Sequence, residues 1–174
     1  MESKVKAAHQ LMRSFCFSCL VLFALISPCK ADETQYMVTY VYDGDTVKLH
    51  PKNTFSQKND IKLRITEMDA PERTQPFGVK SRRALIKLCQ GKNIVATTDI
   101  VAKDKYLRSL GRLQCNQVDA SLHLVALGLA WHDEKYGGDW EVEQAQVKAK
   151  EQKLGLWVDG KAVAPWVWRK LHAR

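Results

Sequence analysis

Residues 36–50 read YMVTYVYDGDTVKLH, and how this stretch is read decides the fold class. Positions 36–42 are rich in β-branched and aromatic side chains, and 46–50 resume that character, so two strands joined at an Asp-Gly turn are expected. Gly44 is expected to supply a positive φ, which other residues resist. The same turn sets two carboxylates, Asp43 and Asp45, one residue apart. Like charges held so close invite a hard divalent cation. On this stretch alone, a tight turn and a cation site both stand.

Outward from the turn, residues 51–60 (PKNTFSQKND) are polar with Pro51 in front and read as a flexible loop. Ile61, Leu63 and Ile65 then alternate with Lys62, Arg64 and Thr66, a half-buried strand with Arg64 on its polar face. Ser81, Ala84, Leu85 and Leu88 recur at helical spacing, with Lys80, Arg82, Arg83 and Lys87 on other faces and Gly91 as the stop. Residues 93–98 and 108–115 read as further strands. A short helix is expected from Asp119 as N-cap to about residue 127, ended by Gly128. The last helix starts at Asp139 and ends before Gly155, with Glu141 and Glu143 early and Lys150 and Lys153 late, as the helix dipole favours. About five strands and three helices make an α+β domain or a small barrel with helical additions.

A chain of 174 residues, 45% hydrophobic, fits one domain plus processing signals. Residues 1–31 have the layout of a signal peptide. Lys4, Lys6 and Arg13 precede an apolar run over 15–26, and Cys29-Lys30-Ala31 puts small residues before the cut. An uncleaved anchoring helix is the competing reading, and the domain is expected to occupy 32–174. The formal charge is +8, and without 1–31 it is 23 basic against 18 acidic residues, a net of +5. That sign favours a polyanionic partner.

Of the five cysteines, only Cys89 and Cys115 lie beyond residue 31. In an exported chain such a pair is expected to form a disulfide; two buried free thiols are the alternative. No Cys/His cluster has zinc spacing, and His50, His123, His132 and His172 show no grouping suited to a histidine-based nuclease. Most of the tryptophans (Trp131, Trp140, Trp157, Trp166, Trp168) are expected to pack in the core. The basic, aromatic tail over 164–170 fits either packing on the barrel or contact with nucleic acid.

The stretch RITEMDAPE (64–72) adds Arg64, Asp69 and Glu72, with Pro71 stiffening the turn between the acids. Oxygen ligands without His or Cys point to calcium or magnesium rather than a transition metal. Surface acids paired with neighbouring bases are the alternative.

DGDT (43–46), RITEMDAPE (64–72), DKYLRSLGR (104–112), LVALGLAW (124–131) and KAKEQKLGLW (148–157), in this order, resemble the staphylococcal nuclease (thermonuclease) family. The resemblance covers about 38–157. It implies an OB-type five-stranded β-barrel with three helices. It also implies a secreted or periplasmic, monomeric, Ca2+-dependent endonuclease that hydrolyses DNA and RNA with little sequence preference and leaves 3′-phosphate ends. By the same resemblance Asp45, Asp69 and the backbone carbonyl of Ala70 hold the metal, with Asp43 supporting them. Glu72 is then the general base, Arg64 and Arg108 clamp the phosphate, and Lys105, Tyr106 and Tyr136 hold the nucleotide. Two guanidinium forks and a divalent ion suit a dianionic, five-coordinate transition state.

The chain departs from the family at Leu107, where the motif before the second arginine has glycine, and Gly111-Arg112 offers an alternative register for that arginine. The alternative functional reading is a non-catalytic OB-fold nucleic-acid-binding module, which needs no base. A third is a periplasmic protein acting on another polyanion. Lys80, Arg82, Arg83 and Lys87, with Lys103, Lys105, Arg108 and Arg112, form a basic track suited to following a phosphate backbone.

Overall fold

The computed structural model describes residues 34–135 and 138–173, so the expected leader over 1–31 and Tyr136 lie outside the described residues. In chain order the elements are β1 (Tyr36–Val41), β2 (Thr46–Pro51), β3 (Ile61–Ile65), β4 (Met68–Asp69), α1 (Gly78–Cys89), β5 (Ala96–Lys103) and β6 (Ser109–Cys115). They continue as β7 (Val118–Asp119), α2 (Ala120–Ala126), β8 (Trp131–His132), α3 (Trp140–Glu151) and α4 (Pro165–Leu171).

The sheet runs in the order β3-β2-β1-β5-β6-β7, and β3 also pairs in parallel with β6 through Leu63↔Ser109, Arg64↔Leu110 and Ile65↔Gly111. That pairing closes the five longer strands into a ring, the arrangement the OB-type expectation called for. Inward alternation follows from the period of two along each strand: Val47 and Leu49 on β2, Leu63 and Ile65 on β3 and Leu113 on β6 are all fully buried. Leu85 of α1, Leu124 and Val125 of α2 and Val142 of α3 join the same core. Each such side chain contributes roughly 1.5–3 kcal/mol by leaving water. Truncating Leu63 to Ala would cost about 2–5 kcal/mol because its surroundings cannot collapse around the gap.

Local signals explain most of the element ends. Asp119 caps α2 by accepting from the Leu122 amide, and Asp139 caps α3 by accepting from those of Glu141 and Val142. Gly128 follows α2 at φ +64°, the left-handed conformation that satisfies a helix C-terminus. Cys89 and Cys115, each about 1% exposed, are joined by a disulfide that ties the end of α1 to the end of β6.

Several expectations need correction. There are four helices among the described residues rather than three. The fourth is α4, opened by Pro165 at its first turn, where the missing N–H costs nothing. Helix α1 stops at Cys89 because Gln90 is extended, one residue before the Gly91 stop. Strand β5 covers 96–103 rather than 93–98. Its outer half pairs with β6 but is exposed, so its side chains show no alternation. The supposedly flexible 51–60 loop holds a 3-10 turn at Gln57–Asn59, where Ser56 accepts from the Lys58 amide and Thr54 accepts from Ser56 and Asn59. Of the tryptophans only Trp131 is buried, edge-on to Trp157, while Trp140 and Trp166 are exposed.

Candidate active site

The turn between β1 and β2 is built by its own acids. The Asp45 amide donates to Asp43 Oδ1 at 3.1 Å, and the Tyr42 amide donates to the Thr46 carbonyl at 2.9 Å. Gly44 is not among the glycines with positive φ, contrary to expectation. Glycine is required for a different reason: a Cβ there would stand 2.0 Å from Ser81 Oγ on α1 and 2.6 Å from Ala70 Cβ. The absent side chain lets the acidic turn lie directly on α1 and on the segment that follows β4.

Asp45 points inward. Its Oδ1 accepts from Thr46 Oγ at 3.0 Å and its Oδ2 from the Ala70 amide at 2.9 Å, which pins the turn to the segment holding Asp69 and Glu72. Arg64, opposite Thr46 in the β2–β3 register, bridges the two acids, with Nε 3.4 Å from Asp45 Oδ1 and Nη2 3.1 Å from Asp69 Oδ1. Its Nη1 donates to the carbonyls of Ile65 and Met68. Burial pulls the Arg64 pKa down, but Asp45 and Asp69 outweigh it and raise it. Asp45 goes the other way for a carboxylate: burial pushes it up to about 6 against the pull of Arg64, and Asp43 adds to the rise.

Glu72 lies at the rim, 37% exposed. Its amide donates to Gln75 Oε1, and Gln75 returns the bond through its own amide to the Glu72 carbonyl. Gly78 opens α1 against that carbonyl, where a Cβ would come within 1.9 Å of the oxygen.

The third wall is the tip of the β5–β6 hairpin. Asp104 Oδ1 accepts from the amides of Tyr106 and Arg108, and its Oδ2 takes Arg108 Nε at 2.8 Å. Burial raises the Asp104 carboxyl, but the Arg108 hydrogen bonds prevail and lower it. This knot holds Leu107 at φ +62°, the conformation a glycine adopts freely. The departure at Leu107 therefore leaves Arg108 facing the site, with Nη1 3.5 Å from Thr46 Oγ. Arg112, the alternative, is spent elsewhere: it pairs with Asp119 and Asp139, the N-caps of α2 and α3. Tyr106 is largely exposed, with the cations of Lys105 and Arg108 within 5.1 and 5.7 Å of its ring.

These parts line one cleft of about 900 Å3, in which Asp43, Asp45, Arg64, Ala70, Glu72, Lys105, Tyr106 and Arg108 all take part. Asp69, 3% exposed, sits beneath the wall. Not every member was foreseen. Arg169 of α4 enters the cleft, with Nη2 2.7 Å from Asp69 Oδ2 and Nη1 2.9 Å from Glu72 Oε1. The proline at the head of α4 signals a helix, but nothing in the sequence signals where residue 169 lands.

The donor set suits a hard cation. Among the described residues no three Asp, Glu, His or Cys side chains converge on one metal position, so a bound ion would take the two buried carboxylates, a backbone oxygen and solvent. The raised Asp45 is a buried charge that its neighbours do not fully compensate, and a divalent ion would relieve it.

Comparison with known proteins finds relatives over most of the chain. Residues 62–159 match the family described as staphylococcal nuclease homologue. A Haemophilus influenzae protein named as an uncharacterized endonuclease is 34% identical over 153 residues, covering 88% of this chain and 83% of its own. An Escherichia coli O157:H7 protein of the same description is 32% identical over 151 residues, covering 86% of this chain and 94% of its own. A probable staphylococcal-like nuclease of Oryza sativa subsp. japonica is 29% identical, covering 81% of this chain and 41% of its own.

Proposed function

The chain belongs to the staphylococcal nuclease homologues and is a nuclease, and from that premise we propose that its cleft is the active site of an exported, Ca2+-dependent endonuclease that hydrolyses both DNA and RNA and leaves 3′-phosphate ends. The observation that carries the reading is the meeting of Asp45, Asp69 and Glu72 with Arg64 and Arg108 around one cleft. Export is supported by the basic-then-apolar composition of residues 1–31 and by the Cys89–Cys115 bond.

Asp45, Asp69 and the Ala70 carbonyl would hold the calcium ion, which supplies positive charge against the phosphate oxygens. Arg108, whose hydrogen bond to a carboxylate runs through Nε and whose Nη1 reaches toward Thr46 Oγ, is placed to take a non-bridging oxygen from the hairpin side. Arg64 sets the spacing of Asp45 and Asp69 and presents the second guanidinium. Glu72, at the rim, accepts the proton of the attacking water as the new P–O bond forms. The P–O5′ bond breaks, and the 5′ oxygen leaves with a proton from solvent. Tyr106 offers an exposed aromatic face on which any base can stack, which suits a reaction indifferent to sequence.

The test is supercoiled plasmid and a structured RNA incubated with the protein in calcium or in chelator, with product ends probed by polymerase extension before and after phosphatase. Cutting of both substrates only with calcium, and extension only after phosphatase, is expected. Retarded but uncut plasmid would point instead to the binding module.

A further inference from the structure

We propose that Arg169 is a third arginine of the active site, a tethered cation delivered by α4 that holds Asp69 and Glu72 until a divalent ion displaces it. The inference rests on the calcium reading above and adds a residue that reading does not use.

Geometry comes first. Arg169 Nη2 lies 2.7 Å from Asp69 Oδ2, and Nη1 lies 3.1 Å from Asp69 Oδ1 and 2.9 Å from Glu72 Oε1. One guanidinium thus spans the buried metal carboxylate and the rim carboxylate assigned as base. The planar fork adds a second nitrogen, so that Asp69 is held through both of its oxygens while Nη1 also reaches Glu72. With Arg64 already on Asp69 Oδ1 at 3.1 Å, three of the roughly four acceptor positions on Asp69 are taken, two of them by Arg169.

A cation entering between Asp45 and Asp69 therefore meets a positive charge on its own ligand. It binds fully only as Arg169 lets go. Glu72 faces the same choice, since its Oε1 is occupied by the guanidinium and is not free to hold a water. Guanidinium and metal ion are alternative occupants of the same acids.

The delivery of Arg169 is built into the fold. Gln75, 5% exposed, accepts from the Glu72 amide and donates through Nε2 to the carbonyl of Val163, just before α4. A single buried amide thus fixes the loop of Glu72 and the approach to α4 to one another. Pro165, buried, sets the helix start, and Arg169 follows one turn later on the side facing the acids. Trp166 lines the same cleft, so a change in how α4 sits alters the surroundings of an indole.

The contact is strong enough to order the acids and weak enough to exchange. The Arg169 side chain is 47% exposed although Asp69 beneath it is buried, so water can take up the guanidinium donors when a metal ion takes over the acids.

Calcium titration of the full chain by calorimetry, on the unaltered protein, on Arg169→Gln and on Lys170→Gln, tests this. Lys170 is exposed on the same helix and makes no contact with the two acids, so its variant controls for net charge alone. Arg169→Gln is expected to bind calcium roughly three- to tenfold more tightly, while Lys170→Gln changes less than twofold. In the unaltered protein, tryptophan emission should shift with calcium at the calorimetric midpoint, and Trp166→Phe should remove most of that shift. Equal or weaker calcium binding by Arg169→Gln would overturn the inference and leave the calcium reading standing. Absence of calcium binding in all three proteins would overturn both.

Discussion

The β2–β3 hairpin carries an acid and its bases at each end, and the two ends differ. At the outer end Asp60 takes Lys48 Nζ at 2.8 Å and His50 Nδ1 at 2.6 Å. The hydrogen bonds to Lys48 and His50 hold the Asp60 carboxyl below its ordinary range, and the bond to Asp60 holds His50 above its own. At the cleft end Asp45 has Arg64 beside it, yet burial leaves it raised to about 6. An acid whose pKa falls on folding contributes stability, and one whose pKa rises costs stability. The outer end is arranged for the fold. The cleft end tolerates a charge the fold does not want, the mark of a place where a ligand is expected.

The comparison breaks most decisively at Glu72. Glu72→Gln should lower the rate of plasmid cleavage ~10²–10⁴-fold with unchanged circular dichroism, because a positioned base is lost while the fold is untouched. Asp60→Asn should cleave at the normal rate. Comparable rates for Glu72→Gln and the unaltered protein would remove the distinction between the two ends.

Calcium sharpens it. At a hundred times its dissociation constant calcium should stabilise the protein by about 2.7 kcal/mol, read as a rise in melting temperature. Asp45→Asn should abolish that rise, and Asp60→Asn should keep it. A calcium response surviving in Asp45→Asn would move the ion out of the cleft.

Strain gives a smaller effect. The cleft side carries Leu107 in the left-handed region, which costs a branched residue about 1 kcal/mol that glycine does not incur. Leu107 is 83% exposed, so Leu107→Gly removes little packing. It should raise stability by up to about 1 kcal/mol, less the greater freedom of glycine in the unfolded chain, without loss of activity. Chemical denaturation measures it, and a clear destabilisation would show that the leucine side chain matters.

The smallest effect lies at the outer end. His50 is raised above 6.5, so its contribution is full below about pH 6.5 and fades as pH rises through its folded value. Asp60 is lowered below 3.8, so its contribution is full above about pH 4 and fades as pH falls through its folded value. The melting-temperature gap between the unaltered protein and Asp60→Asn should be widest between those limits and narrower at pH 8. A gap that widened toward pH 8 would contradict the pairing.

The strands at 36–41, 46–51 and 61–65 and both Asp caps were legible in the sequence, because β alternation and capping are decided within a few residues. The resemblance, carried by short motifs, named part of the cleft's lining, among it Asp43, Asp45, Arg64, Glu72 and Arg108, while Tyr136 lies outside the described residues. Gly44 was read as a positive-φ turn residue, whereas what requires glycine there is the clash with Ser81, which depends on a helix that starts more than thirty residues later. Arg169 was illegible for the same reason in stronger form: its partner Asp69 is 100 positions away. Local pattern says what a segment becomes, and it says nothing of which distant carboxylate the segment will meet.

The bond between Cys89 and Cys115 closes a loop of the chain around the whole β5–β6 hairpin, including its exposed tip with Lys103, Lys105 and Arg108. That tip carries lysines of the kind a trypsin-like protease cuts beside. A peptide bond cut there would leave two pieces still joined covalently and still paired strand to strand, with Arg108 held near Thr46. Nicking would pass unnoticed until a reductant arrived, and the working life of the molecule among proteases would be set by redox conditions rather than by cleavage.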